Sequence, residues 1–242
     1  MCMKIVRTNI NISFPKIENY RKKYIDNEDL LSEKFMPATI LNLSEPIPDE
    51  MPRIIVQSKN GHSVLNLSLN SATFSTNYDN EYQDNWELCE KYIKERVNLV
   101  YKMIDKLTDN HNNYVGFVVN LIYDGLKDNG LDIIKKSFLN TKVSENINLY
   151  DVNCRLTYRI DNYFLNLQIE NMRNIIDKYG NIVNGDLSNS INVVLEINDR
   201  AIANESEKYI SSKEVLNEIL DIAGSLVKNN LDEIILNGNV KY

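Results

Sequence analysis

Histidine and cysteine are scarce in this 242-residue sequence, at two and three residues. His62 and His111 lie far apart, and neither Cys-x-x-Cys nor His-Glu-x-x-His occurs. A zinc site would lack the short ligand spacings that normally build one. Cys2, Cys89 and Cys154 are odd in number and scattered, so they make no disulfide framework and point to a reducing cytoplasm. The eight glycines never form Gly-x-Gly-x-x-Gly or a Walker loop, and no Gly-x-Ser-x-Gly elbow is present. No run approaches the roughly 18 apolar residues of a membrane span, and the start, MCMKIVRTNINISF, alternates where a signal peptide would be continuously apolar. A basic excess is missing too: 27 Lys and Arg face 34 Asp and Glu, for a net charge of −7. That balance argues against non-specific nucleic-acid binding, which needs cations to neutralise phosphates. The basic run Arg21-Lys22-Lys23 is flanked by Glu18, Asp26, Glu28 and Asp29 and reads as a solvated helix face. No metal or other cofactor is expected.

What is present is a soluble globular composition, 43% apolar and 25% charged. Asparagine outnumbers isoleucine but is dispersed singly, as codon drift would leave it. All five prolines fall within the first 52 residues, which suggests an irregular leading segment before a regular body. Within it, Val6, Ile10, Ile12 and Phe14 alternate with polar residues, predicting a half-buried strand over about 4–14. Helical spacing of Ile17, Tyr20 and Tyr24 follows, then a second strand over 38–43 and an extended loop over 45–52.

Beyond Arg53 the pattern is sharper. Two apolar runs flank Asn60-Gly61, the signature of a two-residue type I′ hairpin. A strand over 72–77 precedes a long helix from Asp84 to about Leu107. Asp84 and Glu87 form its expected capping box, and Trp86, Cys89, Ile93, Val97, Val100, Ile104 and Leu107 its apolar stripe. Cys89 on that stripe and Cys154 on an apolar strand face are expected to be buried and inert. A strand over 114–123 and a short helix near 130–139 come next. Then the order recurs: a hairpin about Asp161-Asn162, a loop around Gly180 and Gly185, a strand over 191–197, and a long helix from Ser211 to Leu236. Hairpin, third strand and long helix thus occur at about 53–107 (53–123 with the next strand) and at 147–236. The predicted fold class is α+β: one compact domain, an antiparallel sheet built from two similar β-β-β-α units with long amphipathic helices on one face.

Chemistry is harder to find. Pro48-Asp49 and Gln57-Ser58-Lys59 make a degenerate metal-dependent nuclease motif, with glutamine in place of the second acid and Lys59 running into a turn. Arg155, Thr157 and Arg159 share one strand face, and Glu170 on the partner strand points the same way beside Gln168 and Asn166, with Glu196 on the next. This is either cross-strand pairing on a wet surface or the floor of a groove. Tyr78 and Tyr82 gather with Trp86 near the long helix, where aromatics suit an interface. Arg155, Arg159, Glu170, Tyr78 and Tyr82 are therefore the candidate binding residues.

Arg53-x-x-Val56-x-Ser58-x-Asn60-Gly61, the Leu65-Leu67-Leu69 strand, Trp86 opening a helix and the Val115-Gly116 strand with Asn120 form a recognisable series. With the hairpin near 150–173, the strand end Glu196 to Asp199 and the terminal helix, it resembles a sporadically distributed family of bacterial proteins with no assigned biochemical function. That family carries an Arg-Tyr pair before the Asn; here the positions hold Phe117, Val118 and Val119. The resemblance implies no activity. With no catalytic constellation, the leading expectation is a non-enzymatic interaction module, chaperone-like or antitoxin-like, that binds a protein partner or itself. A small-ligand binder anchored by Arg155 or Arg159 and a nuclease-like enzyme are the alternatives.

Overall fold

The computed structural model describes residues 2–43, 46–139, 149–174, 177, 179–181 and 186–240. Glu45 of the expected loop, Gly185 and the first residues of the second unit, 147–148, lie outside them. Alternating sequence becomes β1 (Cys2–Ser13), followed by α1 (Tyr20–Ile25), a 3-10 turn (Glu28–Leu31) and a two-residue β2 (Thr39–Ile40), shorter than expected. The hairpin β3 (Ile54–Gln57) and β4 (Ser63–Leu67) leads to β5 (Ser71–Asn77), a short α2 (Asn80–Gln83) and the long α3 (Trp86–Thr108). Then come β6 (Tyr114–Asp124), α4 (Gly130–Phe138), the hairpin β7 (Asn153–Ile160) and β8 (Tyr163–Asn171), and β9 (Ile191–Asn198). The chain closes with α5 (Arg200–Glu205), α6 (Lys213–Ser225), a π-helical turn (Leu226–Asn230) and α7 (Leu231–Asn237).

Among the described residues the strands form one antiparallel sheet of nine, in the order β2-β3-β4-β5-β1-β6-β9-β8-β7. This is the α+β class that the sequence pattern predicts. The order is mirrored about the central pair: β3-β4-β5-β1 on one side, β7-β8-β9-β6 on the other. Each half reads strand, short helix, hairpin, third strand, short helix, long helix. The repeat therefore includes β1 and β6, the first strand of each half, and the chain's first residues lie at the centre of the sheet between β5 and β6.

Period-two alternation decides which face is covered. Ile10 and Ile12 of β1, Phe74 of β5, Val115 to Tyr123 at alternate positions of β6, and Leu165, Leu167, Val193 and Leu195 are all buried beneath the helices. They join the stripe of α3 and the apolar side of α6 in one continuous core. Trp86 packs edge-on against Phe117 of β6, its ring 6.5 Å away. Burying such an aromatic side chain is worth about 3 kcal/mol. Gly224 of α6 faces that indole; a Cβ there would lie 3.2 Å from Trp86 Nε1, so glycine allows the two helices to approach. The opposite face of the sheet shows half-exposed Asn9, Asn11, Asn66, Asn120 and Asn166.

Three local details depart from expectation. The Asn60-Gly61 turn is not the two-residue type I′: only Gly61 has positive φ (79°), and Ser58 bonds Asn60 Oδ1 and the Ser63 N–H to hold a longer loop. The cap of α3 is Asn85, which accepts from Leu88 N–H at 3.1 Å, because Asp84 ends the preceding short helix. The last long helix is capped by Ser212, since Ser211 is buried and hydrogen-bonds Asp199; it also widens into a π-turn over Leu226–Asn230, which ends in two asparagines of weak helix propensity.

Candidate interaction surface

β7 is the outermost strand of the second half. Asn153, Arg155, Thr157 and Arg159 lie exposed on the uncovered sheet face, while Cys154, Leu156, Tyr158 and Ile160 on the helix side remain half-exposed. Cys154 is thus not the buried thiol its alternation suggests: β7 is the last strand and the described helices leave its apolar side partly open. Cys89 is buried as expected, and burial pushes its thiol up to about 12. β7 pairs with β8 on its inner side. No described residue pairs with its outer side.

The register places the charged row as the alternation predicts. Arg155 stands opposite Gln168, Thr157 opposite Asn166, and Asn166 opposite Glu196. The partners, however, are not arginine with acid across strands. Glu170 accepts from Asn153 Nδ2 (3.1 Å) and Asn192 Nδ2 (2.6 Å). Arg159 makes a two-pronged bond to Glu205 at the end of α5, one arm at 3.0 Å, and those bonds hold the Glu205 carboxyl below its ordinary value. Thr157 donates to Asn166, which donates to Glu196. The result is a ladder of side-chain amides with Arg155 exposed at its rim and without a described ion-pair partner. Toward the sheet centre, a cleft of about 210 Å³ opens over Gly116, bordered by Asn11, Thr73, Glu196 and Arg200. Arg200 closes one side by donating to Tyr114 OH at 2.7 Å.

Tyr78 and Tyr82 fall in the other half, away from this row. Tyr78 is buried; its hydroxyl pairs with Thr8 Oγ1 at 3.0 Å, and burial raises its pKa well above the ordinary phenol value. Its ring lies 5.8 Å from Tyr82 and 6.4 Å from Tyr92, and Arg96 sits 3.5 Å above Tyr92. Tyr92 OH donates to Asn60, tying α3 to the β3–β4 loop. These rings therefore join β1, the hairpin and α3, and of the two candidates only Tyr82 keeps an accessible edge. His62 packs edge-on against Tyr82, so it is less open than its turn position suggests.

The nuclease-like residues do not converge. Asp49 pairs with Lys16 at 2.9 Å before β3, and Lys59 lies exposed past the other end of that strand. Among the described residues no group of three or more His, Cys, Asp or Glu is arranged to hold a metal ion.

The residue that most constrains the second half was missed from sequence. Asp199, fully buried, accepts from Val115 N–H (2.8 Å), Tyr209 OH (2.8 Å) and Ser211 Oγ (2.5 Å). Burial raises its pKa, and those three donors offset part of the rise. It fastens the end of β9 and the loop before α6 to the start of β6. Its partner residues are 10, 12 and 84 positions away along the chain, so no local spacing announces it.

The chain matches no known protein-family model, and no curated protein is significantly similar to it. No described helix is long and apolar enough to cross a membrane.

Proposed function

We propose that the protein is a non-enzymatic interaction module of the reducing cytoplasm, whose partner is a polypeptide that adds an extended segment to the outer edge of β7. The observation that carries this reading is an eight-residue edge strand with no described pairing on its outer side and with apolar residues half-exposed. An exposed strand edge offers a row of backbone donors and acceptors, and proteins normally blunt or cover one of this length. A segment that added there would gain main-chain hydrogen bonds, with Leu156 and Tyr158 reading apolar side chains and Arg155 an acidic one. Arg159, already held by Glu205, would limit the register. Three unpaired cysteines fit the proposed compartment.

The test is affinity capture from the native host with the wild-type chain and with Tyr158→Lys, a substitution that places a charge on the edge at a side chain only partly packed on the core. One stoichiometric protein recovered by wild type and lost by the variant, at unchanged thermal melting, would support the reading. Equal recovery by both would move the partner to another surface.

A further inference from the structure

A second feature lies in the first half, outside the surface just described. Arg53, immediately before β3, is only 8% exposed, yet no described carboxylate pairs with it. Its side chain makes one long bond, Nη2 to Ile47 O at 3.4 Å, and its Nε has no partner. Arginine stays charged at any physiological pH, and a buried cation without a counter-charge is strongly disfavoured. Arg96, the other buried arginine, shows the usual remedy: a tyrosine ring beneath it, a carbonyl bond to Tyr92 and Glu95 at 3.7 Å. Arg53 has only its long carbonyl bond, with no aromatic ring beneath it and no described carboxylate beside it.

The surroundings of Arg53 suggest what is missing. It lines a cavity of about 470 Å³ together with Tyr20, Arg21 and Lys22, and Ile17 and Leu69 supply an apolar wall. Tyr20 is 4% exposed, and its hydroxyl too lacks a partner. Asn19, also at the cavity, is held at φ 52° and its side chain caps nothing in α1. Three cations and an unsatisfied hydroxyl border this space and, among the described residues, no carboxylate does, in a chain whose net charge is −7.

We propose that this cavity is a binding site for a small phosphate ester, its phosphoryl group on Arg53 and Tyr20 OH with Arg21 and Lys22 at the mouth, and its apolar part against Ile17 and Leu69. Arginine's planar fork suits two phosphoryl oxygens, and the ligand would supply the counter-charge that the fold leaves out. The run Arg21-Lys22-Lys23, which reads as a plain solvated face in the sequence, is then divided: Lys23 bonds Asp109, while Arg21 and Lys22 turn to the cavity.

The test is thermal melting of the full chain in inorganic phosphate and in phenyl phosphate, each against chloride at equal ionic strength. Wild type should gain at least about 2 °C at saturating phenyl phosphate, and less in inorganic phosphate. Arg53→Met should melt no lower than wild type in chloride, since it removes an uncompensated charge, and should show no gain with either probe. The double variant Arg21→Ala, Lys22→Ala should keep the wild-type melting temperature in chloride and weaken the phenyl phosphate effect by roughly tenfold in concentration. Equal gains in wild type and Arg53→Met would mean non-specific anion binding, and no gain in wild type would mean no site; either overturns the proposal. So would a large loss of stability in Arg53→Met, or in Glu45→Gln, because the guanidinium would then have a structural partner within the chain.

Discussion

β3 and β7 hold equivalent places, each the first strand of a hairpin and the outer flank of its half, yet their outer edges are treated differently. β3 is closed along its whole length. Ile54 and Ile55 pair with β2, Leu41 N–H reaches Arg53 O, Met36 N–H reaches Gln57 O, and Phe35 bridges to Ser58. As a consequence Ile54 and Val56 are fully buried. In the second half residues 140–148, between α4 and the hairpin in sequence, lie outside the described residues, and β7 shows half-exposed side chains on its apolar face. Among the described residues the same topology thus carries one outer edge that is paired and one that is not. The lesson is that the pairing of hairpins follows from local alternation, whereas closure of an edge depends on what lies beyond it in the chain.

Six substitutions probe that comparison. The largest effect belongs to the joint between the halves: Trp86→Asp should abolish cooperative folding, because it places a carboxylate against Phe117 within a core shared by both halves. Wild type should melt in one transition, and two separate transitions would show that the halves are independent. Next, Ile54→Ala should cost about 3–4 kcal/mol and Leu156→Ala less than about 1 kcal/mol in denaturant titration. Equal costs would remove the contrast between the strands. Third, Asp199→Ala should cost about 2–3 kcal/mol, because Val115 N–H, Tyr209 OH and Ser211 Oγ lose their acceptor. Its counterpart after β5, Asp79, is an exposed cap of α2, so Asp79→Ala should cost no more than about 1 kcal/mol.

A further small effect concerns the ion network between α3 and the last helix. Glu90 accepts from Lys94 and Lys228, both at 2.9 Å. Burial pushes its carboxyl up, and the two ammonium groups outweigh that and bring it below the ordinary value. A carboxyl depressed in the folded state stabilises above its unfolded pKa of about 4.3 and loses that contribution as pH falls through the folded value. Glu90→Gln should therefore cost about 1 kcal/mol at pH 7, and the difference should shrink as the pH falls through the acid range. A difference that does not shrink with acid would mean that packing, not charge, is responsible.

Much of the architecture is legible in the sequence because alternation and helical spacing are local. The stripe from Trp86 to Leu107 and the row Arg155, Thr157, Arg159 both fall where spacing puts them. What spacing cannot supply is partners distant in sequence. It gives no sign that Arg159 bonds Glu205 46 positions away, that Asp199 clasps Val115, or that β1 lies beside β6. Tyr78 looked like an interface residue since aromatics cluster on surfaces that bind, but Thr8 on a neighbouring strand takes its hydroxyl and the core takes its ring. Arg53 offered only a weak signal, a charge directly preceding the apolar run Ile54-Ile55-Val56.

The contrast between the two edges can be read directly from backbone hydrogen exchange in the free protein, residue by residue, along β3 and β7. A sealed β3 and an open β7 should give protected amides throughout Ile54–Gln57 and fast exchange at every other amide of Asn153–Ile160. Uniform protection along β7, equal to that of β3, would mean that its edge is already occupied within the chain, and would contradict the assignment of that edge to a partner.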